Sequence, residues 1–205
     1  RHSKLLIEEL AKRNNVDITV IHPHSEETVF DPALKVHEIA VPDISQNRPY
    51  LLELYNYSQR VASVLNKTEF SQHLIYAQGF TIWKQIKRFK HRLIYNPHGL
   101  ESFQTISSLD YIKLMPFRIL SRHLFNNAAR VISLGGKLTE IINRNTSNGA
   151  SKIATLPNAT HIPKVDFTPS KNREKVICLF VGRFAENKGI VHLLRAVKII
   201  NEKGY

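Results

Sequence analysis

Four short apolar runs, each closing on a turn-forming residue, constrain this chain more than any other feature. They read "HLIYAQG" (73–79), "RLIYNPHG" (92–99), "ARVISLGG" (129–136) and "SKIATLPN" (151–158). Runs this short and this continuous, bounded by Gly, Pro or Asn, fit strands buried in a central sheet. The stretches between them carry helical spacing instead. In "RPYLLELYNYSQRVASVLNK", Tyr50, Leu54, Tyr57, Val61 and Leu65 fall on one stripe, with Pro49 near the first turn. A basic helix is expected through "FTIWKQIKRF", and a long one from about Ser108 to Asn127 that Pro116 interrupts or kinks. Upstream, "DITVIHP" and "KVHEIAVP" read as two further strands, after an opening helix with Leu5, Leu6 and Leu10 on its apolar face. Strand and helix signals therefore alternate, which predicts an α/β fold built on a doubly wound, mostly parallel sheet.

After "LPN" the pattern stops. "ATHIPKVDFTPSKNREK" has two prolines, several charges and no apolar period, and reads as a linker. Residues 1–165 are expected to form one domain, 166–175 the linker, and 176–205 the opening unit of a second domain. That unit is predicted to begin with a buried strand, "VICLFVG", holding Cys178 as an inert core thiol. A helix follows, with Ile190, Leu193, Leu194, Val197 and Ile200 on its stripe. Between strand and helix lies "GRFAENKG", which offers Arg183 and Lys188 at the place where open α/β sheets hold ligands. A planar guanidinium, an ammonium and a helix N-terminus near Gly189 together invite an anion. The segment is not a P-loop, because Gly189 rather than Ser or Thr follows Lys188.

Charge narrows the partners. The 205 residues carry a formal net charge of +12, so nucleic acid, an anionic membrane face and phosphorylated small molecules are the candidates. The basic cluster "KQIKRFKHR" (84–92) is interleaved with Trp83 and Phe89, which could stack on bases. Yet Ile82, Trp83, Ile86 and Phe89 fit one buried helical face, and no helix-turn-helix or RNA-binding signature accompanies them. The stretch "YIKLMPFRILSRHLF" mixes Leu114, Phe117 and Leu120 with Lys113, Arg118 and Arg122, a pattern that suits either a membrane surface or ordinary packing on a core. A single cysteine excludes an internal disulfide, and no apolar run approaches the length of a membrane span. A cytosolic setting is expected.

The landmarks "NPHG", "ARVISLG", "LPNAT", the linker and "VGR…NKG" occur in an order that resembles the retaining glycosyltransferases of the GT-B fold, the group-one or family-four enzymes. The resemblance implies two Rossmann-like domains facing a cleft, the first holding the acceptor and the second a nucleotide-sugar donor. It implies that Arg183 and Lys188, with Gly182, bind and stabilise the leaving diphosphate, and that His98 contacts the transferred sugar or handles a proton. Gly99, Glu101, Ser102, Gly135, Gly136 and Asn158 would lie at the cleft; turn and capping roles suit them equally. Ala159 and His161 depart from the family's usual glycine and aspartate after that asparagine. The implied reaction is metal-independent and needs no cofactor beyond its nucleotide-sugar substrate. The acceptor would be a glycan or lipid-linked hydroxyl in polysaccharide or glycolipid assembly, handled in the cytoplasm or at the inner membrane face. Two family features, an early glycine-rich loop and a late pair of acidic residues, are not in the sequence, so a fragment inactive alone is expected. The alternative is a non-enzymatic basic α/β module that binds nucleic acid or an anionic membrane.

Overall fold

The computed structural model describes residues 2–13, 15–23, 28–147, 149–158, 178–182, 184 and 188–203. In chain order these run α1 (His2–Ala11), β1 (Ile18–His22), β2 (Val36–Ala40), α2 (Tyr50–Leu65), β3 (Ile75–Gln78), α3 (Ile86–Phe89) and β4 (Leu93–Asn96). They continue as α4 (Ser108–Lys113), α5 (Met115–Asn127), β5 (Arg130–Ser133), α6 (Lys137–Arg144), α7 (Gly149–Lys152), β6 (Ile153–Thr155) and α8 (Ile190–Glu202). All four apolar runs are strands, and they form one parallel sheet in the order β3-β4-β5-β6. Because parallel neighbours cannot be joined by a tight turn, helical crossovers separate them. The carboxyl ends of these strands therefore lie along one edge, where the loops to the next helices begin.

Among the described residues the strands do not make a single continuous sheet. β1 and β2 pair with each other in parallel, Ile18 opposite Val36 and His22 opposite Ala40, and neither is hydrogen-bonded to β3. Packing unites what the ladders do not: Val41 and Ile21 join the same apolar core as Tyr57, Val61, Tyr95, Leu124 and Val131. The helical stripe of α2 is as its spacing requires, with Leu54, Tyr57, Val61 and Leu65 buried, while Tyr50 at the first turn is exposed.

Two expectations change on folding, and one is borne out. The basic helix is only the single turn of α3, because Gln85 enters it at φ 59, in the left-handed region. Polar contacts to α2 fix that bend: the Lys84 N–H donates to Ser58 Oγ, and Asn66 Nδ2 donates to Gln85 Oε1 at 2.9 Å. Ile82, Ile86 and Phe89 are still fully buried. The cations divide, since Lys84 Nζ donates to the Tyr55 hydroxyl and Arg92 to the His73 and Phe70 carbonyls, leaving Lys87, Arg88 and Lys90 outward.

The 108–127 helix is interrupted as Pro116 implies: it breaks at Leu114, so that Pro116 falls in the first turn of α5, where its missing N–H costs nothing. Of the two readings of its mixed stripe, packing on the core is the one the burial fits. Leu120 and Arg118 are buried and Leu114 and Phe117 half-buried. Arg118 donates to the Ser102 carbonyl at 2.9 Å and to the Tyr111 carbonyl, with its guanidinium 3.7 Å from the Tyr111 ring centroid.

The second correction concerns Cys178, which is exposed and lies in no strand. Leu179, Val181 and Phe184 are exposed too. A parallel strand is stable only between neighbours that take up its N–H and C=O groups, and among the described residues no strand pairs with this one. On α8, Ile190, Leu193 and Val197 are half-buried, whereas Leu194 and Ile200 face outward.

Candidate functional site

The turn after β4 is built from its own polar residues. Asn96 is buried; its Nδ2 donates to the Tyr76 hydroxyl at 2.7 Å, and its Oδ1 accepts from the His98 N–H at 2.9 Å. This Asx turn puts His98 at φ 58, a conformation few non-glycine residues adopt. The His98 ring is held in turn, its Nε2 3.0 Å from Oε1 of Gln78 at the end of β3. His98 therefore stands at the carboxyl edge of the sheet, half-buried and oriented. At Gly99 the Glu101 carboxylate folds back so closely that a Cβ there would come within 2.5 Å of its Oε2.

The turn after β5 answers it. Ser133 Oγ accepts from the Gly135 N–H at 3.1 Å and lies 2.7 Å from Thr139 Oγ1, tying the strand end to the first turn of α6. Gly135 at φ 101 and Gly136 at φ 54 make the reversal between them. α6 then starts with Lys137.

These two turns wall a cavity of about 460 Å³, a size that suits a small organic ligand. Gly99, Leu100, Glu101, Gln104 and Ile106 line it from the segment after β4, Lys137 and Leu138 from the start of α6, and Lys188 from just before α8. Two lysines and one glutamate thus line a partly apolar, open cleft outside the carboxyl ends of parallel strands. Such a space attracts an anion that also carries hydrogen-bonding hydroxyls: the lysines meet the charge and Glu101 accepts from a hydroxyl.

Of the residues singled out from sequence, Gly99, Glu101 and Lys188 come together here. His98 adjoins the cavity through Gly99 but does not line it, and Gly135 lies two residues before Lys137. Asn158 and Gly182 are exposed and outside the cavity. Arg183 lies outside the described residues. Lys137 was not foreseen, although its signal was present: a lysine directly after a double glycine, at the close of an apolar strand, repeats the logic that drew attention to Lys188. Among the described residues no group of His, Cys, Asp and Glu gathers as metal ligands do. No described helix is long and apolar enough to cross a membrane.

Compared with models of known families and with curated proteins, the chain matches none.

Proposed function

We propose that this chain belongs to a retaining glycosyltransferase of GT-B type, and that the cavity beside Glu101 receives a nucleotide-sugar donor. The observation that carries the proposal is the convergence of Lys137, Lys188 and Glu101 on one cavity at the carboxyl edge of a parallel sheet. In this reaction the bond between the anomeric carbon and the diphosphate oxygen breaks, and a bond to the acceptor oxygen forms on the same face. The acceptor hydroxyl passes its proton to the departing diphosphate oxygen. Negative charge builds on the departing diphosphate, so cations fixed beforehand lower the barrier without reorganising. Lys188 and Lys137 supply that charge. Glu101 accepts a hydrogen bond from a sugar or acceptor hydroxyl. His98, its ring fixed by Gln78, contacts the sugar or the acceptor at the cavity edge. The acceptor is a glycan or a lipid-linked hydroxyl.

Calorimetric titration with uridine, guanosine and adenosine diphosphates tests this. At least one should bind, and Lys137→Ala and Lys188→Ala should each weaken it by about 1.5–3 kcal/mol, the worth of a charge-assisted contact. Failure of all three to bind, or unchanged affinity in both variants with the fold intact, would remove the site.

A further inference from the structure

Tyr55 stands on α2 just off the buried stripe, half-buried, beside the segment that follows β3. That segment is clamped at the bend before α3: the Lys84 N–H donates to Ser58 Oγ, Gln85 takes φ 59, and Asn66 Nδ2 donates to Gln85 Oε1. The clamp delivers the Lys84 ammonium to the phenol. Its Nζ donates to the Tyr55 hydroxyl oxygen and lies 4.9 Å from the ring centroid. Trp83 holds the ring from the side, with centroids 5.3 Å apart and planes at 74°. Gln59, one turn further along α2, gives the same hydroxyl a second hydrogen bond. Among the described residues no carboxylate pairs with Lys84, so its charge is directed at the phenol.

We propose that Tyr55 is a nucleophilic tyrosine with Lys84 as its activating cation, and that sulfonyl- or phosphoryl-type electrophiles modify the chain at its hydroxyl. A phenol attacks as its anion, and an ammonium held against the oxygen favours that anion. The Lys84 bond, and after it the Gln59 bond, hold the Tyr55 hydroxyl below the usual tyrosine value. Lys84 also selects the electrophile. An ammonium has three donors, so those not used on Tyr55 meet the S=O or P=O oxygens of an approaching reagent. In the step, Tyr55 Oη bonds to sulfur or phosphorus, the leaving group departs with its electron pair, and the phenol proton passes to water. The other described tyrosines are set differently. Tyr57 and Tyr95 are buried, and burial pushes both phenols up. Tyr50 and Tyr111 are exposed, at 57% and 54%, with no ammonium on either hydroxyl among the described residues. A group placed on the Tyr55 oxygen displaces Lys84 from it, so modification loosens the bend that leads into α3. Neither Tyr55 nor Lys84 lines the cavity, which makes this site independent of the transferase reading.

The test treats the 205-residue protein with benzenesulfonyl fluoride, which loses fluoride when its sulfur is attacked, and maps the product by peptide mass spectrometry. Tyr55 should be modified at least about tenfold faster than the more exposed Tyr50 and Tyr111, because its anion alone is stabilised by an ammonium. Lys84→Met keeps the apolar stem and removes the charge, and should bring Tyr55 down to the rate of Tyr50. Lys84→Arg keeps a cation within reach and should retain most of the rate. Should Lys84→Met melt early, Gln59→Leu, at an exposed position, is read instead and should slow Tyr55. Equal rates at Tyr55, Tyr50 and Tyr111 in the wild type would overturn the proposal, as would an unchanged Tyr55 rate in a well-folded Lys84→Met or Gln59→Leu protein. So would a sulfonyl group found on Lys84 Nζ, which would make the amine the nucleophile. Nucleoside diphosphate binding should be the same before and after modification, so loss of either result leaves the other standing.

Discussion

Replacing Gly136 with alanine adds one methyl group in open space, yet it should lower stability. No heavy atom lies within 4 Å of where that Cβ would sit, so overlap contributes nothing. The backbone decides the outcome, because Gly136 holds φ 54 with ψ −136, a combination that L side chains rarely adopt. Forcing alanine into such a conformation costs on the order of 1–3 kcal/mol. In a chain of this size each kcal/mol moves the melting temperature by about 2–4 °C, so a fall of roughly 2–12 °C is expected. If the backbone instead rotates to relieve the strain, the start of α6 turns with it and carries Lys137 and Leu138 out of position. Nucleoside diphosphate affinity should therefore fall as well. Gly99→Ala is the contrasting case. Its Cβ would press on Glu101 Oε2, the far end of a flexible side chain that can swing aside. Stability should change by under about 0.5 kcal/mol, as at most surface positions, while the carboxylate in the cavity is displaced. Thermal unfolding followed by circular dichroism, with a nucleotide titration on each variant, reads both effects. A Gly136→Ala protein that melts and binds as the wild type does, or a Gly99→Ala protein equally destabilised, would refute the reasoning.

Three further outcomes are expected. His98→Asn keeps a residue tolerant of the left-handed backbone, so the melting temperature should hold within about 1 kcal/mol of stability while turnover of the intact enzyme falls; a large loss of stability at normal turnover would make His98 structural. Leu124→Ala empties a position with 0% exposure and should cost about 2–5 kcal/mol in denaturant unfolding; a cost below about 1 kcal/mol would place the core elsewhere. Burial pushes the Glu38 carboxyl up, but the N–H groups of Val29 and Phe30 and the neighbouring His22 more than offset it, leaving its pKa below the usual value. Its contribution is thus present above about pH 4.3, the ordinary carboxyl value, and lost as pH falls through the lower folded value. Glu38→Gln should flatten the acid side of the stability profile, and an unchanged acid slope would contradict this.

The parallel sheet was legible because each of its strands is an apolar run that a glycine, proline or asparagine ends, and no other structure buries such a run so economically. Leu54, Tyr57, Val61 and Leu65 were legible for the same reason, since periodicity reports burial directly. What sequence hid were choices made by single polar contacts. Nothing in "TIWKQIKRF" announces that Ser58 and Asn66, on a different helix, hold Lys84 and Gln85 in a bend. Nor does "LMPFRIL" reveal that Arg118 turns inward beside the apolar side of α5, where the Ser102 and Tyr111 carbonyls take up its guanidinium. Cys178 was misjudged because an apolar run implies a strand only where neighbours exist to pair with it. In the candidate site, Gly99, Glu101 and Lys188 were found through turn position and charge. Lys137 was passed over because its double glycine looked sufficient as a helix start.

The most direct test of the central claim is a residue-resolved one. Titrating isotopically labelled protein with the nucleoside diphosphate that binds tightest should move the amide resonances of Gly99, Glu101, Lys137, Leu138 and Lys188 together, with one common affinity. Shifts confined to Lys87, Arg88 and Lys90, or no shifts at saturating nucleotide, would contradict it.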